Sequence, residues 1–156
     1  MRVIQATWGQ VPAPNQLCLD SVKEIYPQVE VFYFPSSNAP LYHSDKWRWE
    51  ILQQYDDILY IDWDIQLTEP IEFEQNGRLS SIYYEGQPDN CLIYCPDKEL
   101  ICSLEAERIR RKIAFETFGW HRKIMRDKKV NEVIGIKHLR TSGMKQLIKQ
   151  YGRLNV

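Results

Sequence analysis

"ILYIDWDIQL", residues 58–67, sets the architecture. Ile58, Leu59, Tyr60 and Ile61 run into Asp62, and Trp63 alone separates it from Asp64. A short apolar run fits a strand covered on both faces. Burying either carboxylate unpaired is costly, so the run ends where charge needs water, a cation or a bound group. Period two along a strand predicts both acids on one side, their Cα atoms about 6.6 Å apart. Carboxylates so placed suit a hard divalent cation, Mg²⁺ or Mn²⁺, shared with substrate phosphates. The alternative is a strand that stops and leaves both acids solvated in a loop.

Upstream, "RVIQATW" (2–8) reads as a strand closed by Gly9, and "VEVFYF" (29–34) as another, stopped by "PSSNAP" (35–40). Between them a helix over 16–26 is expected, capped by Asn15, with Leu17, Val22 and Ile25 as its stripe and Pro27 as its stop. Ser44 is the expected N-cap of a helix over 45–55 that carries Trp47, Ile51, Leu52 and Tyr55 on one face. The order strand, helix, strand, helix, strand implies a parallel sheet with crossover helices, an α/β domain. Ligands in such sheets bind at the carboxyl ends of the strands, where Asp62 and Asp64 fall. Downstream, "LSSIYY" (79–84) and "NCLIYC" (90–95) read as strands around the turn "EGQPD" (85–89). A helix follows over 97–117; "NEVIGIKHL" (131–139) fits strand or helix, and "TSGMKQLIKQY" (141–151) a loop and a final helix.

At 156 residues the chain reads as one domain. A net charge of −1 singles out neither nucleic acid nor membrane as a partner. Charge is uneven, though: residues 108–129 hold nine Lys/Arg against Glu116 and Asp127. No apolar run reaches the ~18 residues of a membrane span, and the N-terminus has no apolar h-region. The expected location is the cytosol, where Cys18, Cys91, Cys95 and Cys102 are reduced and buried, although a zinc site on Cys91 and Cys95 stays open.

"YHSDKWRWEILQQYDDILYIDWDIQL" (42–67) resembles the core of glycosyltransferases with a sugar-binding region containing a DXD motif, a family that extends to the large clostridial glucosylating toxins. The matching positions are Ser44-Asp45, Arg48, Tyr60, Asp62 and Asp64. "VIQATWGQVPAPNQLCLDSVKEIYPQVEVFYF" (3–34) resembles the family's opening, so the likeness covers residues 1–70; "NCLIYCPDKE" (90–99) and "HLRTSGMKQLIKQY" (138–151) echo it more weakly. The resemblance implies a GT-A, Rossmann-like fold: a mostly parallel sheet flanked by helices, with residues 1–70 as the nucleotide-sugar core and 71–156 as the acceptor-side part. It implies metal-dependent, mostly retaining transfer of a sugar from a UDP-sugar or similar donor to a glycan, glycolipid, lipid-linked or protein acceptor, as in polysaccharide biosynthesis. By the same resemblance Asp64 binds Mn²⁺ or Mg²⁺, and Asp62 contacts the donor and shares the metal. Asp45 and Arg48 grip the donor sugar and diphosphate, Trp8 stacks on the base, and Tyr60 packs against the nucleotide; Asp45, Asp62 and Asp64 are the catalytic set.

Each residue also has a structural reading. Asp45 could complement a helix dipole, Arg48 could cover apolar surface with its stem, and Trp8 and Tyr60 could be core aromatics. Where the family usually has Gly-Gly before the DXD strand, this chain has Asp56-Asp57. Relatives usually continue past their Thr-Gly-Pro segment to a His- and Trp-containing stretch that completes the site, whereas this sequence stops at Val156. The expectation is a minimal transferase, a truncated or inactive sugar-nucleotide-binding relative, or a site completed by a partner, with His121 and His138 as possible substitutes. A phosphatase using an aspartyl phosphate also places D-x-D after an apolar strand, but on its first strand. The segment "ERIRRKIAFETFGWHRKIMRDKK" (107–129) could lie on an anionic membrane at its inner face, bind an acidic glycan, or be a solvated helix; no groove-reading motif points to nucleic acid.

Overall fold

The computed structural model describes residues 1–8, 13–34, 40–71, 79–84, 87–115, 117, 119–130 and 137–138. Its strands are β1 (Arg2–Trp8), β2 (Glu30–Phe34), β3 (Ile58–Asp62), β4 (Ser80–Tyr84), β5 (Gln87–Cys95) and β6 (Lys137–His138). Its helices are α1 (Ala13–Ile25), α2 (Pro40–Leu52), α3 (Lys98–Arg110) and α4 (Trp120–Met125). One sheet runs in the order β2-β1-β3-β5-β4-β6. β1 pairs in parallel with β2 and β3, and β4 with β6; β5 runs antiparallel to β3 and β4.

All five β3 residues are buried, as a strand covered on both faces requires. α2, α3 and α4 cover one face, where Trp49, Leu52, Ile101, Leu104, Trp120 and Ile124 pack on Ile4, Ile58 and Tyr60. Val22 of α1 and Tyr26 just past its end, with Ile65, Leu67 and Ile71, cover the other, against Val3, Leu59 and Ile61. Both early helices begin sooner than the cap residues suggest. Asn15 therefore lies inside α1 and Ser44 inside α2, which opens on Pro40, a residue suited to a first turn. Leu17 is 52 % exposed; Cys18, Leu19 and Val22 form the buried stripe, which Tyr26 continues beyond the helix end.

The Asp56-Asp57 pair has a local cause. Asp57 sits at φ 52, the left-handed region that a glycine would take more cheaply. Its carboxylate accepts from the Tyr94 hydroxyl at 2.8 Å and pairs with the Met1 ammonium at 2.7 Å. Asp56 Oδ1 accepts from the Lys98 N–H at 2.9 Å, which satisfies an open donor at the start of α3. The strain at Asp57 is thus offset by tying β1, β5 and α3 to the turn before β3.

Gln87, Pro88 and Asp89 extend β5 instead of forming the expected turn, and pair with Tyr84, Tyr83 and Ile82. Proline is tolerated there because β5 has run past the β3 pairing, which stops at Leu92, so no ladder donor is missed on that side. A register shift between Ser81 and Ile82 breaks the alternation along β5. Cys91 then packs on the α1 side and Cys95 on the α2 side, so the two thiols do not share a site. All four cysteines are free thiols.

α3 opens on Asp97, whose side chain accepts from the Glu99 N–H. It ends at Arg110, short of the expected 117, in a Schellman motif. Lys112 N–H meets the Ile109 carbonyl at 2.9 Å, Ile113 N–H meets the Arg108 carbonyl at 3.1 Å, and Lys112 takes φ 55. Most of the described apolar residues of the basic segment then turn inward. Trp120 and Ile124 are 1 % and 0 % exposed, and Ile113 and Phe115 pack against the same core. Its cations meet acids: Arg108 pairs with Glu105, Arg110 and Arg111 with Glu107, and Arg111 also with Asp127. This leaves little for the membrane-lying reading among the described residues: Ile113, Trp120 and Ile124 pack in the core and Ile109 alone is exposed, while Phe118 lies outside the described residues. Among the described residues no helix is long and apolar enough to cross a membrane. Residues 139–156, including the expected last helix, lie outside the described residues, as do 131–136.

Candidate functional site

The parallel register puts Ala6 beside Asp62 and Trp8 beside Phe34. The carboxyl ends of β1, β2 and β3 therefore form one edge, with Trp8 two residues beyond the level of Asp62. The backbone of Trp8 closes β1; its side chain is outside the described set.

Asp62 is held from below. Arg48 Nη2 donates to Asp62 Oδ1 at 2.6 Å, and the Tyr60 hydroxyl donates to the same oxygen at 2.7 Å. The guanidinium lies 4.9 Å from the Tyr60 ring centroid, a cation–π contact. Both charged side chains are well buried, at 6 % exposure for Arg48 and 12 % for Asp62. A pair this dry is maintained only when each partner is present. Burial, with help from the Asp62 charge and against that of Arg48, raises the Tyr60 hydroxyl well above its ordinary range, so it stays a donor. Behind it stands an aromatic column, Trp47 at 6.4 Å from Tyr60 and Phe32 at 4.9 Å from Trp47.

Tyr60 is buried in the structure. Its side chain is 1 % exposed, beneath Arg48 and beside Trp47. Arg48 likewise points into the sheet edge and engages Asp62. Asp45 lies in α2 three residues before Arg48, so both stand on one helical face. It falls beyond the first turn, which removes the dipole reading; its side chain is outside the described set.

The two acids of the motif part company. β3 ends at Asp62, and Trp63-Asp64 form a turn closed by the Ile65 N–H on the Asp62 carbonyl at 3.2 Å. Alternation therefore does not carry from Asp62 to Asp64. Cys18 of α1 feels the Asp64 charge: burial first, and that carboxylate second, push the thiol up to about 12. So Asp62 is gripped from α2, and the Asp64 carboxylate is near enough to Cys18 of α1 to act on its thiol.

Three side chains with no sequence signal hold this turn and the segment that follows it. Gln5 Nε2 donates to the Asp62 carbonyl at 3.2 Å. Ser21 Oγ accepts from the Leu67 N–H at 3.0 Å, and the Tyr26 hydroxyl accepts from the Ile71 N–H at 2.9 Å. The partners are 45 to 57 residues apart, beyond the reach of any local pattern.

A hard divalent cation suits this chemistry: carboxylate oxygens at a turn, one or two per ion, with phosphate oxygens and water completing the shell. Among the described residues no group of three or more His, Cys, Asp or Glu forms a self-contained site. His121, expected as a possible ligand, packs instead against Trp49 and Trp120 at 5.4 and 6.0 Å and is 3 % exposed. The backbone of His138 pairs with Ser81 in β6. A cleft of about 290 Å³ lies apart from these residues, lined by Glu107, Arg110, Arg111, Asp127 and Lys129 among others.

The sequence matches no protein-family model and no curated protein. Solved structures do match in shape. A glycosyltransferase involved in glycosylation of the major capsid of PBCV-1 superposes with TM-score 0.56 at 12 % identity, over 88 % of this chain and 82 % of that one. The galactosyltransferase LgtC, in complex with donor and acceptor sugar analogs, gives 0.53 at 12 % identity, over 88 % and 73 %. The glycosyltransferase GlyE of Streptococcus pneumoniae TIGR4 gives 0.53 at 10 % identity; this chain spans 85 % of itself but 42 % of GlyE. The acidic pair falls at the end of the third strand, whereas the phosphatase arrangement places it on the first. In fold, the chain is a mixed α/β domain of the GT-A type, a single sheet flanked by helices.

Proposed function

We propose that this chain is a glycosyltransferase that moves a sugar from a nucleotide sugar, a UDP-sugar in the first instance, to a glycan, glycolipid or protein acceptor with a divalent cation's help. One observation carries the reading: the buried Arg48–Asp62–Tyr60 group stands at the carboxyl edge of β3, where sheets of this class bind ligands. Asp62, fixed in charge and direction by two donors, is suited to accept hydroxyls of a ribose or sugar. Asp64, with Asp62, would hold Mn²⁺ or Mg²⁺, which when bound neutralises charge developing on the diphosphate leaving group. Asp45 would stabilise positive charge at the anomeric carbon, as carboxylates do in glycoside hydrolysis, and Trp8 would stack on the base. Retention of configuration follows from the motif resemblance.

A second reading, a sugar-nucleotide binder without turnover, is favoured by the Arg48 guanidinium being engaged with Asp62. Calorimetry with UDP and UDP-sugars, with and without Mn²⁺, followed by a donor-hydrolysis assay, separates the two. Metal-dependent binding with release of free sugar is expected. Binding without release assigns the second reading, and no binding by any nucleotide sugar sinks both.

A further inference from the structure

Gln5 is 0 % exposed on a strand otherwise built of apolar contacts. By alternation it shares the face of Val3, and its registered neighbour Ile61 packs in the same α1-side cluster. An amide in such surroundings costs free energy unless both ends are satisfied. Here Nε2 reaches the Asp62 carbonyl, while Oε1 has no hydrogen-bond partner among the described residues. A methionine has the same length and would fill the space without that cost. Packing alone therefore gives no reason for a glutamine.

What the amide holds supplies the reason. The Asp62 carbonyl takes two donors, Gln5 from the neighbouring strand and the Ile65 N–H that closes the turn. That carbonyl belongs to the peptide plane between Asp62 and Trp63, and its tilt sets where the next two residues go. We infer that Gln5 is a positioning residue: it fixes the 62–63 peptide so that Asp64 leaves the sheet edge in a single direction. The inference rests on the reading of Asp64 as the residue that meets the cation and diphosphate. It assigns part of that task to a side chain on β1, 57 residues away.

The test uses Gln5→Met and Gln5→Glu in the full chain. Gln5→Met removes both the donor and the unsatisfied acceptor. Its melting temperature should equal or exceed that of the wild type, while amide exchange across residues 62–67 rises severalfold with no ligand present. Mn²⁺-dependent affinity for UDP should fall about tenfold, the scale of one lost hydrogen bond. Gln5→Glu can donate only when protonated, and burial favours the protonated form. Relative to wild type at the same pH, its exchange across 62–67 should be near normal at acidic pH and raised at alkaline pH. Unchanged exchange in both variants overturns the inference, as does raised exchange with unchanged affinity. If the wild type binds no nucleotide, the proposed function fails, and the exchange measurement still decides whether Gln5 holds the turn.

Discussion

Tyr60 and Asp62, two residues apart on β3, are joined by a 2.7 Å hydrogen bond from the phenol to Oδ1, the oxygen that Arg48 also meets at 2.6 Å. Period two puts their side chains on one face. The strand thus carries both its carboxylate and one of that carboxylate's donors. Tyr60→Phe keeps the ring under Arg48 and deletes the donor. A hydrogen bond to a charged group is worth about 1.5–3 kcal/mol, and the loss should lie in that range by urea denaturation. Arg48→Ala should cost more, about 3–5 kcal/mol, because it strands a buried charge. Adding Asp62→Ala to Arg48→Ala should recover part of that loss; a strictly additive double variant would show that the pair is not coupled.

Asp64 and Trp8 test the proposed site from the ligand side. Asp64 follows the strand in a turn and is only partly buried, so Asp64→Ala should change the unfolding free energy by no more than about 1 kcal/mol and leave the fold intact. It should abolish the Mn²⁺-dependent part of UDP binding in calorimetry. Trp8→Ala should weaken nucleotide binding by the ~1–3 kcal/mol that base stacking is worth, with no effect on a free monosaccharide. Unaltered affinity in both variants would remove the sheet edge from consideration.

The first half of the chain was legible because its apolar runs are short and closed by Gly9, Pro27 and Pro35. Those stops place β1 and β2 within a residue or two of where they fall, and the charge at Asp62 does the same for β3. The acidic pair and Arg48 were legible as a spacing, and their order along the chain pointed to the fold. Direction was not. Alternation placed Asp64 beside Asp62, yet the strand stops at Asp62 and a turn intervenes. Tyr60 read as a ligand contact because a motif gives spacing and says nothing about burial. Gln5, Ser21 and Tyr26 had no signal, since each acts on backbone 45 or more residues away. The end of α3 was missed because Lys112 occupies the left-handed position that glycine usually marks.

That last point is itself testable. A side chain in the left-handed region costs about 1–2 kcal/mol, and glycine's added unfolded-state entropy cancels about 0.5–1 kcal/mol of the relief. Lys112→Gly should therefore stabilise the protein by about 0.5–1 kcal/mol in urea denaturation. Lys112→Val, branched at Cβ, should destabilise it. A neutral result for both would mean that the Schellman bonds of Lys112 and Ile113 do not govern this helix end.

Glu107 gives a pH prediction whose sign can be fixed. Hydrogen bonds from Arg110, then Arg111, hold its carboxyl down at about 2, against an ordinary value of 4.5. Arg111 continues the network to Asp127, whose carboxyl is also lowered, chiefly by that arginine. With the folded value below the unfolded one, acid protonates the unfolded chain first. The stabilisation is complete above about 4.5 and is lost as pH falls toward about 2. The network is at the surface, so solvent and salt keep its contribution small. Glu107→Gln should lower the urea midpoint near neutral pH, and the gap to wild type should close by pH 2. The gap should also narrow in salt of about 1 M, where the screening length is about 3 Å. A gap that widens on acidification would mean that Glu107 gains a proton on folding, contrary to its pairing with two arginines.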